Sequence, residues 1–276
     1  MSDRILGKLG AGLVDPDTPL LRADDLGVLR GDAVFETVRL HDGALDSLDA
    51  HLDRLTSSAA ALQLPTPDRS AWRALVEQVS EAWGGAGEAA VRLVFTRGVD
   101  DEPTGFVLAA PLPEPTLRQR RDGVRVVSLS RGVSSTSFTD APWLLGGVKS
   151  TSYAVNMAAL RYAHAHGADD AIFVGTDGLV LEAPTATVVW AIGETLCTSP
   201  DTIGILPGIT VRTLFDNATE HGFRTAISKS TVEDLHTSNG VWLVSSVRGA
   251  VAVTSIDGKD APDGELTERV QAASGL

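Results

Sequence analysis

Cysteine is nearly missing: Cys197 stands alone in 276 residues. This excludes an internal disulfide framework and any multi-cysteine metal centre, and it fits a reducing compartment. Lysine is scarce too, with only Lys8, Lys149, Lys229 and Lys259 among 23 basic residues. Positive charge is outweighed, for the net charge of −13 has the wrong sign for binding a phosphate backbone, so no nucleic-acid partner is expected. No run approaches the roughly 18 apolar residues of a membrane span, so no membrane partner is expected either. The opening MSDRILGKLGAGLVDPD lacks the apolar core of about 7–15 residues that a signal peptide carries. A cytoplasmic location is the expectation. Disorder is excluded, because 43% of residues are apolar and 21% charged.

What is present reads as ordered mixed structure. At about 150 residues per domain, the length suits one large domain or two smaller ones. Residues 32–40 (DAVFETVRL) alternate as a strand, with Phe35, Thr37 and Arg39 on one face and Val34, Glu36, Val38 and Leu40 on the other. His41-Asp42-Gly43 marks a hairpin. Leu48, Leu52, Leu55, Ala59 and Leu62 recur at helical spacing before Pro65. A second helix spans about 70–83 and ends at Gly84-Gly85, and strands follow at 89–97 and 106–110. Three prolines at 111–115 and a polar run to Asp122 make the strongest linker signal. The division expected is 1–112, a linker at 113–121, and 122–276.

The second half opens with a strand at 124–129. A helix is expected at about 152–166, with Ser150, Thr151 and Ser152 as caps and Tyr153, Met157 and Leu160 on one face. Strand, turn and strand follow at 171–181, two strands at 188–192 and 195–198, a helix after Pro207-Gly208, and a late strand at 241–245. The fold class is α+β, mixed α/β with antiparallel hairpins.

Several familiar signatures fail. Gly146-Gly147-Val148-Lys149-Ser150 has Val148 where a phosphate loop requires glycine. His164 and His166 are two apart on a helix and point apart, so no metal site is expected. By spacing alone, Lys149 reads either as a loop lysine snorkelling to water or as an amine made nucleophilic by apolar surroundings. Glu182 ends a hairpin strand, and Gly208-Ile209-Thr210 starts a helix whose N–H groups suit an anion or an ordinary cap.

The order of these features is more telling than any one. The blocks GDAVFETVRLHDG, HLDRL, VRLVFTRG, GVKSTSYAVNMAALRYAHAHGADDAIFVGTDGLVLEAPT, ILPGITVRTLF and VWLVSSVRGAVAVTSIDGK resemble the class IV, fold-type IV pyridoxal-phosphate (PLP) enzymes. That family includes branched-chain and D-amino-acid aminotransferases and 4-amino-4-deoxychorismate lyase. The resemblance runs from about Asp24 to Gly258. It implies a two-domain, D-amino-acid aminotransferase-like fold with PLP in the cleft between domains, its lysine in the C-terminal one, and a homodimer.

Residue by residue, the resemblance makes Lys149 the catalytic lysine that carries PLP and shuttles protons. Glu182 matches the acid facing the pyridine nitrogen. Arg54, Ile209, Thr210, Ser246 and Val247 match the phosphate contacts. Phe35, Thr37, Arg39 and Arg92 are the expected substrate contacts, the two arginines for carboxylates. The chain departs from its relatives in two places. Thr187 stands where they usually carry asparagine, and 99–104 (VDDEPT) lacks the arginine and histidine with which D-amino-acid enzymes trap a carboxylate. The reaction the resemblance implies first is aminodeoxychorismate lysis to 4-aminobenzoate and pyruvate, for folate synthesis. Amino transfer on branched-chain or other small amino acids comes second, and D-amino acids are less expected.

Overall fold

The computed structural model describes residues 4–84, 87–100, 102–262 and 265–275. They divide into two compact units, each built on its own sheet. The first holds the chain up to Pro113 together with Val148–Tyr153. Its strands are β1 (Ile5–Lys8), β2 (Gly12–Val14), β3 (Ala33–His41), β4 (Ala44–Leu45), β5 (Ala89–Val99) and β6 (Glu102–Pro111), and its helices are α1 (Leu26–Arg30), α2 (Leu48–Ala61) and α3 (Arg69–Trp83). The sheet is antiparallel throughout, in the order β2-β1-β6-β5-β3-β4. Alternation in β3 turns Val34, Val38 and Leu40 onto one face, where Leu52 and Leu55 of α2 and Trp72 and Val76 of α3 close the core. Each such side chain contributes about 1.5–3 kcal/mol on burial. Asp68 caps α3 by accepting from the Ser70 and Ala71 N–H groups. Its expected stop is Gly84, in the left-handed region, while Gly85 lies outside the described residues.

The second unit holds Glu114–Gly147 and the chain from Ala154 onward. It contains α4 (Glu114–Asp122), β7 (Val124–Ser130), α5 (Ser137–Asp140), α6 (Ala154–Ala165), β8 (Asp170–Val174), β9 (Thr187–Ile192), β10 (Thr195–Thr198), α7 (Ile209–Asn217), β11 (Arg224–Ile227), α8 (Val232–His236), β12 (Val241–Ser245), β13 (Gly249–Ile256), β14 (Lys259–Asp260) and α9 (Thr267–Ala273). The sheet runs β11-β10-β9-β12-β13-β7-β8, with β14 beside β13. The β10–β11, β7–β13 and β7–β8 pairs are parallel and the others antiparallel, so the class is mixed α/β.

Three expectations need correcting. The stretch 113–121 is not a loose linker, because most of it is helix α4 of the second unit. The lysine segment falls in the first unit rather than the C-terminal one, since Val148–Tyr153 joins the first sheet. Helix α6 begins only at Ala154. The Ser/Thr run before it caps nothing there. Thr151 and Ser152 instead donate their hydroxyls to the Gly31 carbonyl, 3.1 Å away in both cases. Met157 of α6 is 44% exposed, and Ala159 and Ala163 are its buried residues.

Candidate active site

In the first unit, Lys149 sits on a short continuation of the sheet. Its carbonyl accepts from Phe35 N–H at 3.0 Å, Val34 bridges Ser150, and Thr151 N–H donates to Ala33 O at 2.8 Å. The hydroxyl of Ser58 on α2 accepts from the Lys149 N–H at 3.2 Å. Main chain is therefore fixed on both sides of the lysine. Its Nζ lies 4.4 Å from the centroid of the Phe35 ring, a cation–π contact, and Tyr153 meets that ring edge-on at 5.2 Å.

Phe35, Thr37 and Arg39 share the sheet face opposite the core, and Thr37 stands directly across from Arg92 of β5. The two arginines differ. Arg39 is 8% exposed and already engaged, with Nε on Glu88 at 2.7 Å and Nη1 3.5 Å from Asp46. Arg92 is exposed, and among the described residues no carboxylate lies within ion-pair distance of it.

Arg54 of α2 grips Glu36 with two parallel bonds, Nε to Oε1 at 2.7 Å and Nη2 to Oε2 at 2.8 Å. His51 Nδ1 meets the same Oε2 at 2.7 Å. Glu36 is fully buried and His51 nearly so. Burial is the largest single influence on the Glu36 carboxyl and pushes its pKa up, but Arg54 and His51 together bring it down from 4.5 to about 2. Sequence reasoning passed over Glu36, His51 and Ser58. The signal was present: an acid on the core face of a strand, and a polar stripe at 51, 54 and 58 beside the leucines of α2.

In the second unit, Glu182 lies on the return arm of the hairpin after β8. Its carbonyl accepts from Phe173 N–H at 2.8 Å, and its Oε2 accepts from the backbone N–H of Leu206 at 3.0 Å. Leu206 leads through Pro207 and Gly208 into α7, so one bond ties the acid to the Ile209-Thr210 helix start. Gly208 is the N-cap and supplies no side-chain cap. A Cβ at Gly208 would fall 2.7 Å from the Thr187 Oγ1. Ser246 and Val247 form the turn between β12 and β13, and the Val247 carbonyl accepts from Arg120 Nη2 at 2.5 Å. Arg248 was also missed. It is 7% exposed, pairs with Asp170 at 2.7 Å and reaches Thr185 Oγ1 at 3.3 Å, joining that turn to the segment after Glu182.

Residues 33–256 match the family model described as amino-transferase class IV. The chain belongs to the class IV aminotransferases. A bifunctional aminodeoxychorismate lyase / D-amino acid transaminase from Mycobacterium tuberculosis is 42% identical over 271 residues, covering 94% of each chain. A hypothetical aminotransferase from the same organism, solved with PLP bound, superposes with a TM-score of 0.95 at 41% identity, over 99% of this chain and 97% of the other. A fold IV transaminase from Curtobacterium pusillum gives 0.94 at 38% identity, over 99% of both chains.

This class IV aminotransferase is PLP-dependent, and its residues fit the cofactor. An aldehyde needs an amine, and Lys149 offers one on a braced backbone. A phosphate needs N–H donors without a competing side chain, and the glycine-capped start of α7 provides them.

Proposed function

We propose that this enzyme is a PLP-dependent lyase that splits 4-amino-4-deoxychorismate into 4-aminobenzoate and pyruvate, supplying folate synthesis, and that it works as a homodimer. The observation that carries the reading is the 42% identical relative, named for that lyase activity. PLP, when bound, supplies an electron sink for the pair of electrons left on proton removal. Arg54, the N–H groups of Ile209 and Thr210, and the Ser246–Val247 turn hold its phosphate. Glu182 keeps a proton on the pyridine nitrogen. Lys149 would anchor the cofactor through Nζ, and the same amine, when free, would take the ring proton of the substrate. The ring C–O bond to the enolpyruvyl group would break, the departing enolpyruvate would gain a proton to become pyruvate, and the ring would become aromatic, a driving force that amino transfer lacks.

The substrate carries two carboxylates, and Arg92 suits one of them, exposed on the face shared by Phe35 and Thr37. Arg39 is the weaker choice, because Glu88 and Asp46 already balance its charge. The second reading is amino transfer, and the same relative's name brings D-amino acids back into it, although 99–104 lacks the usual carboxylate trap.

Purified protein given aminodeoxychorismate should release 4-aminobenzoate and pyruvate in equal amounts with no keto acid added. Lys149→Ala should release neither. Undetectable release beside ordinary amino transfer from D-alanine or L-leucine would establish the second reading instead.

A further inference from the structure

Beside the start of α7 a mostly buried residue keeps its hydroxyl out of any hydrogen bond. Thr187, the first residue of β9, is 6% exposed. Val189 and Ala191, two and four residues along the strand, pack into the same core cluster as Val211 and Leu214 of α7. Thr187 therefore stands on the side of β9 that faces that helix. Among the described residues its hydroxyl makes no hydrogen bond. By contrast Thr198, also buried and on the adjoining strand β10, donates to the Val188 carbonyl at 2.9 Å. Thr187 Oγ1 is not among the fully buried side-chain atoms that lack a partner, so the oxygen is unbonded yet open to solvent, and that opening asks for a reason.

The reason lies in what surrounds it. Its oxygen is 2.7 Å from where the Cβ of Gly208 would stand, in the space an N-cap side chain ordinarily fills. Gly208 makes no side-chain cap, and the first turn of α7 contains no acid. The Ile209, Thr210 and Val211 N–H groups thus form the positive end of a nine-residue helix, with a hydroxyl alongside. Thr187 also pairs with Val244 of β12, and the Ser246–Val247 turn begins two residues beyond that partner. We propose that the Thr187 hydroxyl is a phosphate ligand, donating to the cofactor's phosphate at the α7 N-terminus in the space that Gly208 leaves open. This rests on the reading that α7 takes the phosphate. It assigns Thr187 a role of its own, and makes the absence of a side chain at Gly208 a condition of that role.

The test separates the phosphate from the rest of the cofactor. Full-length protein is titrated with PLP and with pyridoxal, which has the aldehyde but no phosphate, and both dissociation constants are read from absorbance. Thr187→Val should weaken PLP about tenfold, the loss of roughly one charge-assisted hydrogen bond, and leave pyridoxal unchanged. Thr187→Ser should bind PLP as the parent does, and Gly208→Ala should repeat the selective loss. Inorganic phosphate should compete with PLP less well in Thr187→Val than in the parent. PLP binding unchanged in Thr187→Val, or PLP and pyridoxal weakened alike, overturns the proposal while α7 keeps its phosphate. A parent protein that binds the two alike overturns the phosphate seat itself, and Thr187 with it.

Discussion

Glu36 shows how one buried charge can organise a site that it never touches directly. It takes two bonds from Arg54 and one from His51, and all three side chains are wholly or mostly withdrawn from water. Its depressed pKa, about 2 against 4.5, means that its contribution is fully present above pH 4.5 and is lost as pH falls toward 2. Glu36→Gln should cost about 3–5 kcal/mol at pH 7, because it leaves the Arg54 charge buried without its carboxylate. Urea unfolding at a series of pH values checks both claims. The gap between parent and variant should narrow as pH drops from 4.5 toward 2, and a gap of constant size would remove Glu36 from the account. Glu182→Gln tests another carboxylate by a different measure. PLP should stay bound while turnover falls by orders of magnitude, since an amide cannot hold the ring proton; unchanged kcat would refute the role. The Glu36 partnership was half legible in the sequence. Its position on the core face was evident, but its partners lie 15 and 18 residues away, and spacing alone does not pair them.

Elements governed by local pattern were read well, and those governed by distant partners were not. Strand β3 and helix α2 follow their own periodicities, so alternation and helical spacing located them. Ser150, Thr151 and Ser152 looked like caps because hydroxyls before a helix usually are, but here they answer to strand and turn atoms more than a hundred residues earlier. The β5–β6 hairpin gives a sharper case. Gly98 sits at φ +76°, within the register shift between Thr96 and Val99, and a Cβ there would run into the Glu102 backbone. Gly98→Ala should therefore destabilise by more than the roughly 1–2 kcal/mol of the left-handed conformation itself. Gly10→Ala is the control: its φ is +77°, yet a Cβ would meet nothing within 4 Å, so it should show the conformational cost alone. Equal losses in the two variants, measured by denaturant unfolding, would mean that the hairpin can yield.

At the scale of the molecule, the expected homodimer has a physical motive. Helix α6 leaves Val155 and Tyr162, seven residues apart and so on one side of the helix, exposed by 53% and 51%, an apolar pair on a chain that is otherwise strongly acidic. Light scattering at micromolar concentration should give about twice the 28.9 kDa of one chain. Val155→Asp, at an exposed position, should shift that mass toward the monomer while leaving the intrachain core untouched. A parent mass of one chain would end the expectation.

The six residues Val148–Tyr153 are numbered with the second half but built into the first. Anyone recombining these enzymes would naturally cut near Pro113 and swap halves between homologues. Such a hybrid would ask an incoming lysine strand to hydrogen-bond to a Phe35 edge that never co-evolved with it, and to lean on a Ser58 supplied by another parent. Nor would the piece ending at Pro113 make a clean autonomous module, because its sheet would be left with an open edge where Lys149, Ser150 and Thr151 now lie. The functional unit of inheritance is thus discontinuous. A working chimera must carry 148–153 along with the N-terminal unit, as a short insert inside the other parent's sequence.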